Sequence, residues 1–167
     1  RDLTEDIPKI IEHWSKKGFE LDAVYSGYLG SLRQIELVRE LFCRFHPVLR
    51  FVDPAMADDG KLYTGFDQKF VQAMAKLCAD ADVMIPNMTE ACLLCGKAYE
   101  PDADEAFIRE ILKELGKRGT HRVIITGVHA EADLLGAMCY DSQADSYISY
   151  YNEKISAIFK QALSLIY

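Results

Sequence analysis

Val83-Met84-Ile85-Pro86-Asn87-Met88-Thr89-Glu90 packs the end of a strand and the start of a helix into one short run. Val83-Met84-Ile85 has the length and apolarity of a buried strand, Pro86 removes a ladder donor, and Thr89-Glu90 opens a helical pattern. Asn87 reads as the helix cap, and Glu90, three residues on, as the side chain that reaches back in a capping box. Outward from this run the same succession recurs. Ala23-Val24-Tyr25 leads into Ser26-Gly27-Tyr28, Leu49-Arg50-Phe51-Val52 into Asp53-Pro54, and Val123-Ile124-Ile125 into Thr126-Gly127. Between the strands, Ile35, Val38, Leu41, Phe42 and Phe45 recur at helical spacing, as do Phe66, Phe70, Met74 and Leu77, and Ile108, Ile111, Leu112 and Leu115. The alternation predicts an α/β fold, a mostly parallel central sheet with right-handed crossovers and helices on both faces. Such sheets bind ligands beyond the carboxyl ends of their strands, so Ser26, Asp53, Asn87 and Thr126 are expected on one edge, as one site.

Composition narrows the function classes. Half of the 167 residues are hydrophobic and no low-complexity tract or repeat intervenes, which is the profile of one globular domain spanning 1–167. A net charge of −7, dispersed over helix faces, speaks against a nucleic-acid groove. No apolar run is long enough to span a bilayer and no basic-then-apolar leader opens the chain, so the expectation is a cytoplasmic protein without a membrane partner. Five cysteines without framework spacing point to reduced thiols. Cys92-Leu93-Leu94-Cys95 has CxxC spacing, but no second pair follows, and helix packing accounts for it better than zinc. The histidines are scattered; His129 alone sits beside a strand end, where a solvated loop residue is the simpler description.

Asp53, followed by Asp58 and Asp59 ahead of Gly60-Lys61-Leu62-Tyr63, gathers carboxylates at a strand end. Mg²⁺ takes oxygen ligands and keeps several waters, so the cluster suits it; an Asx-type turn made by Asp53 explains the same residues. Likewise a capping box accounts for Asn87 and Glu90 with no ligand at all. A glutamine at 90 is expected to keep such a cap while removing the charge.

Taken together, Tyr25-Ser26-Gly27-Tyr28-Leu29-Gly30-Ser31, Asp53-Pro54-Ala55-Met56-Ala57-Asp58-Asp59-Gly60-Lys61-Leu62-Tyr63, Pro86-Asn87-Met88-Thr89-Glu90-Ala91 and Ile125-Thr126-Gly127 resemble, in order, the motifs of the pyridoxal (pyridoxine) kinases of the ribokinase-like superfamily. The resemblance runs from about Leu3 to about Ser156. It implies a three-layer α-β-α fold and ATP-dependent phosphorylation of the 5′-hydroxymethyl group of pyridoxal, pyridoxine or pyridoxamine, with Mg²⁺ as cofactor, ATP as co-substrate and a homodimer as the assembly. By the same resemblance Tyr28 and Ser26 line the vitamin pocket, Asp53, Asn87 and Thr126 lie near ATP, and Asp58 and Glu90 serve the metal, mostly through water. A hydroxymethylpyrimidine kinase, or another vitamin kinase of the superfamily, would share Asp53, Asn87 and Glu90.

The sequence departs from the family pattern in several places. Ala57 stands where a glycine is usual, which puts the loop's conformation in question, and Ile85 replaces a threonine. The Gly-Thr-Gly-Asp segment, whose backbone amides hold the transferring phosphate and whose Asp is the catalytic base, occurs nowhere in the 167 residues. The family's first strand is also missing before Arg1. After Asn152-Glu153-Lys154-Ile155 the chain passes straight to Ala157-Ile158-Phe159, which resembles the family's C-terminus. The expectation is a missing stretch near 156/157, visible as a Cα separation well above the roughly 3.8 Å of a trans peptide. A catalytically inactive fragment is the competing explanation.

Overall fold

The computed structural model describes residues 2–129 and 133–153. Its five helices begin where the sequence supplies caps. Helix α1 (Ile7–Lys16) carries Pro8 in its first turn, where no intrahelical donor is needed. Helix α2 (Leu32–Phe45) starts at Ser31, whose side chain accepts the Gln34 N–H. Asp67 accepts the N–H groups of Lys69 and Phe70 at the head of α3 (Gln68–Ala79), and Asp104 that of Phe107 at the head of α5 (Glu105–Gly116). Helix α4 (Met88–Cys95) opens on the Asn87/Glu90 capping box and stops at Gly96 in the left-handed conformation.

Eight strands, β1 (Ala23–Ser26), β2 (Leu49–Val52), β3 (Ala57–Asp58), β4 (Lys61–Leu62), β5 (Val83–Met84), β6 (Arg122–His129), β7 (Leu134–Asp141) and β8 (Ser146–Glu153), form two sheets. The main sheet has the order β1-β2-β5-β6-β7-β8, while β3 and β4 make a small hairpin. The first four strands of the main sheet run parallel, with Tyr25 opposite Phe51, Phe51 opposite Val83 and Val83 opposite Arg122. These are the four anticipated strands. Arg50 and Asp82 tie β2 to the entry of β5 at the far end of the sheet, the carboxylate accepting from the Arg50 N–H, Nε and Nη2 at 2.8, 3.0 and 2.8 Å.

The expected strand end at Thr126-Gly127 is corrected. Strand β6 runs on to His129 and pairs antiparallel with β7, which pairs antiparallel with β8. The register shifts between Thr126 and Val128, and Gly127 sits there at φ +71, so the glycine makes a bulge through which the strand continues.

The sheet residues that join the helical core alternate along their strands: Val52, Met84, Val123, Ile125, Met138 and Tyr140 pack with Ile35, Phe42, Met74, Leu77, Ile111 and Leu115. The intervening side chains Tyr25, Leu49, Ile148 and Tyr150 are exposed. Among the described residues the helices thus cover one sheet face, in keeping with a layered arrangement that these residues leave incomplete. The expected break at Ser156–Ala157 lies outside the described residues.

Candidate functional site

The four strand ends meet on one edge. Ser26 C=O accepts the Asp53 N–H at 2.8 Å, Val52 C=O accepts the Ile85 N–H at 2.9 Å, and Pro86 C=O accepts the Thr126 N–H at 2.9 Å. Asn87 and Thr126 form a parallel bridge. Ser26, Asp53, Asn87 and Thr126 therefore follow one another across neighbouring strands, as the strand-end pattern predicted. The Ser26 side chain is buried, and its Oγ has no hydrogen-bond partner. Such an atom is costly unless something else satisfies it, and here it lies at the end of a strand, beside Asp53.

The first turn of α4 holds the β3–β4 hairpin against this edge. Glu90 Oε1 accepts the N–H groups of Met56 and Ala57 at 3.0 and 3.3 Å, and Oε2 accepts the Asn87 N–H at 2.9 Å. Asn87 Oδ1 takes the Glu90 N–H at 2.9 Å while Nδ2 donates to Ala57 C=O at 2.7 Å. Thr89 Oγ1 accepts the Gly60 N–H at 2.9 Å. Glu90 is only 2% exposed, and burial pushes its pKa up against the pull of the three backbone donors. The capping box is thus present but is only part of what Glu90 does. Its second role corrects the expectation for glutamine: both carboxylate oxygens face N–H groups, so an amide nitrogen has no acceptor to meet on either side.

Ala57 is fully buried and needs no special backbone; among the described non-glycine residues, positive φ is confined to His46, Asp59 and Asp145. The turn is instead made by Asp59 and Gly60, at φ +47 and +76. Asp53 Oδ2 accepts the Tyr25 hydroxyl at 3.0 Å, and burial raises the Asp53 carboxyl above its ordinary range. Tyr28 is 56% exposed, with its ring tilted against Phe66 at 5.8 Å, and Phe66 stacks on Phe70. One side of the Tyr28 ring is supported while much of the side chain stays open to solvent, unlike a core tyrosine. Thr126 keeps its hydroxyl 3.5 Å from Pro86 C=O, at the limit of a hydrogen bond.

No group of three or more acidic, His or Cys side chains among the described residues could by itself hold a metal ion. A carboxylate has about four acceptor positions, and Glu90 has filled three with backbone donors, which leaves room for a water contact at most. Asp53, which takes the Tyr25 hydroxyl and an Ala55 backbone N–H, and Asp58, which takes the Asp59 N–H, keep more acceptor positions open at this edge than Glu90 does. That donor set fits Mg²⁺ in its usual protein setting, held by one or two carboxylates, waters and phosphate oxygens. Cys92 and Cys95 lie on α4 as free thiols, Cys92 buried and Cys95 pushed up by burial to about 12, as helix packing predicts. Tyr25 and Thr89, to which the motifs assigned no role, and Tyr99, which lies outside them and packs against Gly60, also belong to the site. Each acts on a residue from another element.

A family model described as phosphomethylpyrimidine kinase matches residues 5–158. The chain belongs to this family. A pyridoxal kinase of Paraburkholderia phymatum is 36% identical over 110 residues, which cover 62% of this chain and 36% of that enzyme. The crystal structure of the Lactobacillus plantarum pyridoxal kinase superposes with a TM-score of 0.84 at 32% identity, over 94% of this chain and 55% of that one. A Bacteroides thetaiotaomicron protein, provisionally named a phosphomethylpyrimidine kinase and crystallised with pyridoxal, gives 0.85 at 37%, over 93% and 56%. The family match and these neighbours establish the ribokinase-like fold and the resemblance to pyridoxal kinases. The chain spans little more than half of the crystallised relatives and 36% of the Paraburkholderia enzyme.

Proposed function

We propose that the chain is part of one ribokinase-like kinase domain that transfers the γ-phosphoryl group of ATP to a hydroxymethyl group on a nitrogen heteroaromatic ring, pyridoxal, pyridoxine or pyridoxamine first among them. The observation that carries this reading is the single edge on which Ser26, Asp53, Asn87 and Thr126 meet, with Tyr28 offering a supported aromatic face beside it. A flat heteroaromatic ring gains from offset stacking on a tyrosine, and the orphaned Ser26 Oγ supplies a polar partner at the same edge. Asn87 and Thr126 face the phosphate side. Asp53 and Asp58 would hold Mg²⁺, with Glu90 in contact through water; the ion would neutralise charge on the phosphates, the main demand of phosphoryl transfer. The contribution of this half of the domain is positioning: the α4 clamp fixes the carboxylate-bearing turn before any ligand arrives. Pairing as a homodimer and a cytoplasmic setting belong to the same proposal; no described helix is long and apolar enough to cross a membrane.

Hydroxymethylpyrimidine is the second acceptor, favoured by a hydroxymethylpyrimidine/phosphomethylpyrimidine kinase of Haemophilus influenzae that is 31% identical over 115 residues. Both acceptors carry a hydroxymethyl group on a six-membered nitrogen ring, so binding separates them better than chemistry. Calorimetric titration of the intact chain with pyridoxal, hydroxymethylpyrimidine and MgATP tests the proposal. The expected result is preferential binding of pyridoxal, weakened by Tyr28→Ala. A pyrimidine preference would transfer the assignment to the second acceptor, and no binding of any of the three at millimolar concentration would refute the kinase reading.

A further inference from the structure

Strands β3 and β4 are two residues each, joined by Asp59 and Gly60, both at positive φ. A ribbon this short has little stability of its own. Its base is held by Glu90 and Asn87, yet its tip, which carries Asp58 and Asp59, needs separate support. That support comes from Thr89, to which the family resemblance assigns no role, and from Tyr99, which lies outside the family motifs. Thr89, 2% exposed, accepts the Gly60 N–H at 2.9 Å, and its hydroxyl also interacts with the phenol of Tyr99. The Tyr99 ring lies so close to Gly60 that a Cβ there would come within 2.8 Å of Tyr99 Cδ1. Tyr99 arrives on the connection between α4 and α5, so α4 supplies the latch from its first turn and from the chain just beyond its last. Burial, and then the negative charges of Asp59 and Asp58, raise the Tyr99 pKa, as expected of a phenol facing both carboxylates.

We propose that Thr89 and Tyr99 are positioning residues that latch the Asp58-Asp59-Gly60 turn, so that the Asp58 carboxylate is presented already oriented to the phosphates and metal of a bound nucleotide. The inference rests on the kinase reading for its ligand but not for the latch itself. A turn fixed in advance loses no conformational freedom when MgATP binds, whereas a free turn must be ordered at that moment.

Amide hydrogen exchange and MgATP titration of the intact chain, run on the same variants, test it. In Thr89→Val the Gly60 amide should exchange about tenfold faster and MgATP affinity should fall about tenfold, the size of one lost hydrogen bond. Thr89→Ser should restore both, and Tyr99→Leu should reproduce the Thr89→Val pattern. Val123 and Ile125 amides, in the core of β6, should be unmoved in all three. In an Asp58→Asn background, Thr89→Val should cost no further affinity. Unchanged Gly60 exchange in Thr89→Val and Tyr99→Leu would refute the latch. Faster exchange with undiminished MgATP affinity, or a full additional loss in the Asp58→Asn background, would refute its role in presenting Asp58. Should the wild-type chain bind no MgATP, the kinase reading falls, and Gly60 exchange alone still decides the latch.

Discussion

Replacing Glu90 with glutamine changes one oxygen to a nitrogen, and the site makes that change expensive. Glu90 accepts N–H groups on both sides, from Met56 and Ala57 through Oε1 and from Asn87 through Oε2. A glutamine that keeps its oxygen toward Met56 and Ala57 turns its amide N–H groups onto the Asn87 N–H; the flipped amide opposes two donors instead of one. The cheaper orientation loses one charge-assisted hydrogen bond and leaves a buried donor unsatisfied, a cost of about 1–3 kcal/mol. Neutralising a carboxylate whose burial opposes its charge returns part of this, so a net loss of about 2 kcal/mol is expected. For a domain of this size that corresponds to a fall in Tm of about 4–8 °C. Urea and thermal denaturation at pH 7 measure it, and amide exchange should show Met56, Ala57 and Asn87 losing protection together. A Glu90→Gln protein with wild-type stability and unchanged protection of these amides would refute the clamp.

Asp53→Asn should respond to pH in the sense set by burial. Its folded pKa lies above the unfolded value near 3.8, so the folded state holds the Asp53 proton more tightly, and this contribution is complete below 3.8 and lost as pH rises through the folded pKa. Relative to wild type, the asparagine variant should therefore gain stability between about pH 4 and 7, and urea midpoints that show the gap moving the other way would contradict the assignment. Gly60→Ala meets both a left-handed backbone and the Tyr99 ring, and should cost about 2 kcal/mol or more, whereas Gly65→Ala, at φ +94 with nothing within 4 Å, isolates the backbone share of roughly 1–2 kcal/mol; denaturant midpoints of the two compare them. Among the thiols, exposed Cys43 should alkylate first, while buried Cys78 and Cys92 and the raised thiol of Cys95 should wait for denaturant, as peptide mass mapping would show.

Four of the helices, the four parallel strands and the shared edge were legible because their signals are local. Apolar residues at helical spacing located α2, α3 and α5, and Asn87 with Glu90 marked the head of α4. Asp53 and Thr126 lie just past recognisable apolar runs. The antiparallel pair β7 and β8 was not legible. Leu134-Leu135-Gly136-Ala137-Met138 has neither alternation nor a hairpin dipeptide, and Gly127 looks like a turn until a partner strand makes it a bulge. In the site, the same limit applied to long-range partners. Tyr25 matters because it donates to Asp53, 28 residues on, and Thr89 because it receives Gly60, 29 residues back. Nothing near either residue in the chain discloses those meetings.

The hold of α4 on residues 56–60 also sets the order in which the protein can be built. The clamping bonds span 29 to 34 residues and close around the whole of α3 and β5. Pairing Phe51 with Val83 closes a loop of the same span and brings α4 to the turn, so the carboxylate-bearing turn settles with the β2–β5 pairing and not before it. A nascent chain released before α4 would carry Asp58 and Asp59 on an unanchored ribbon.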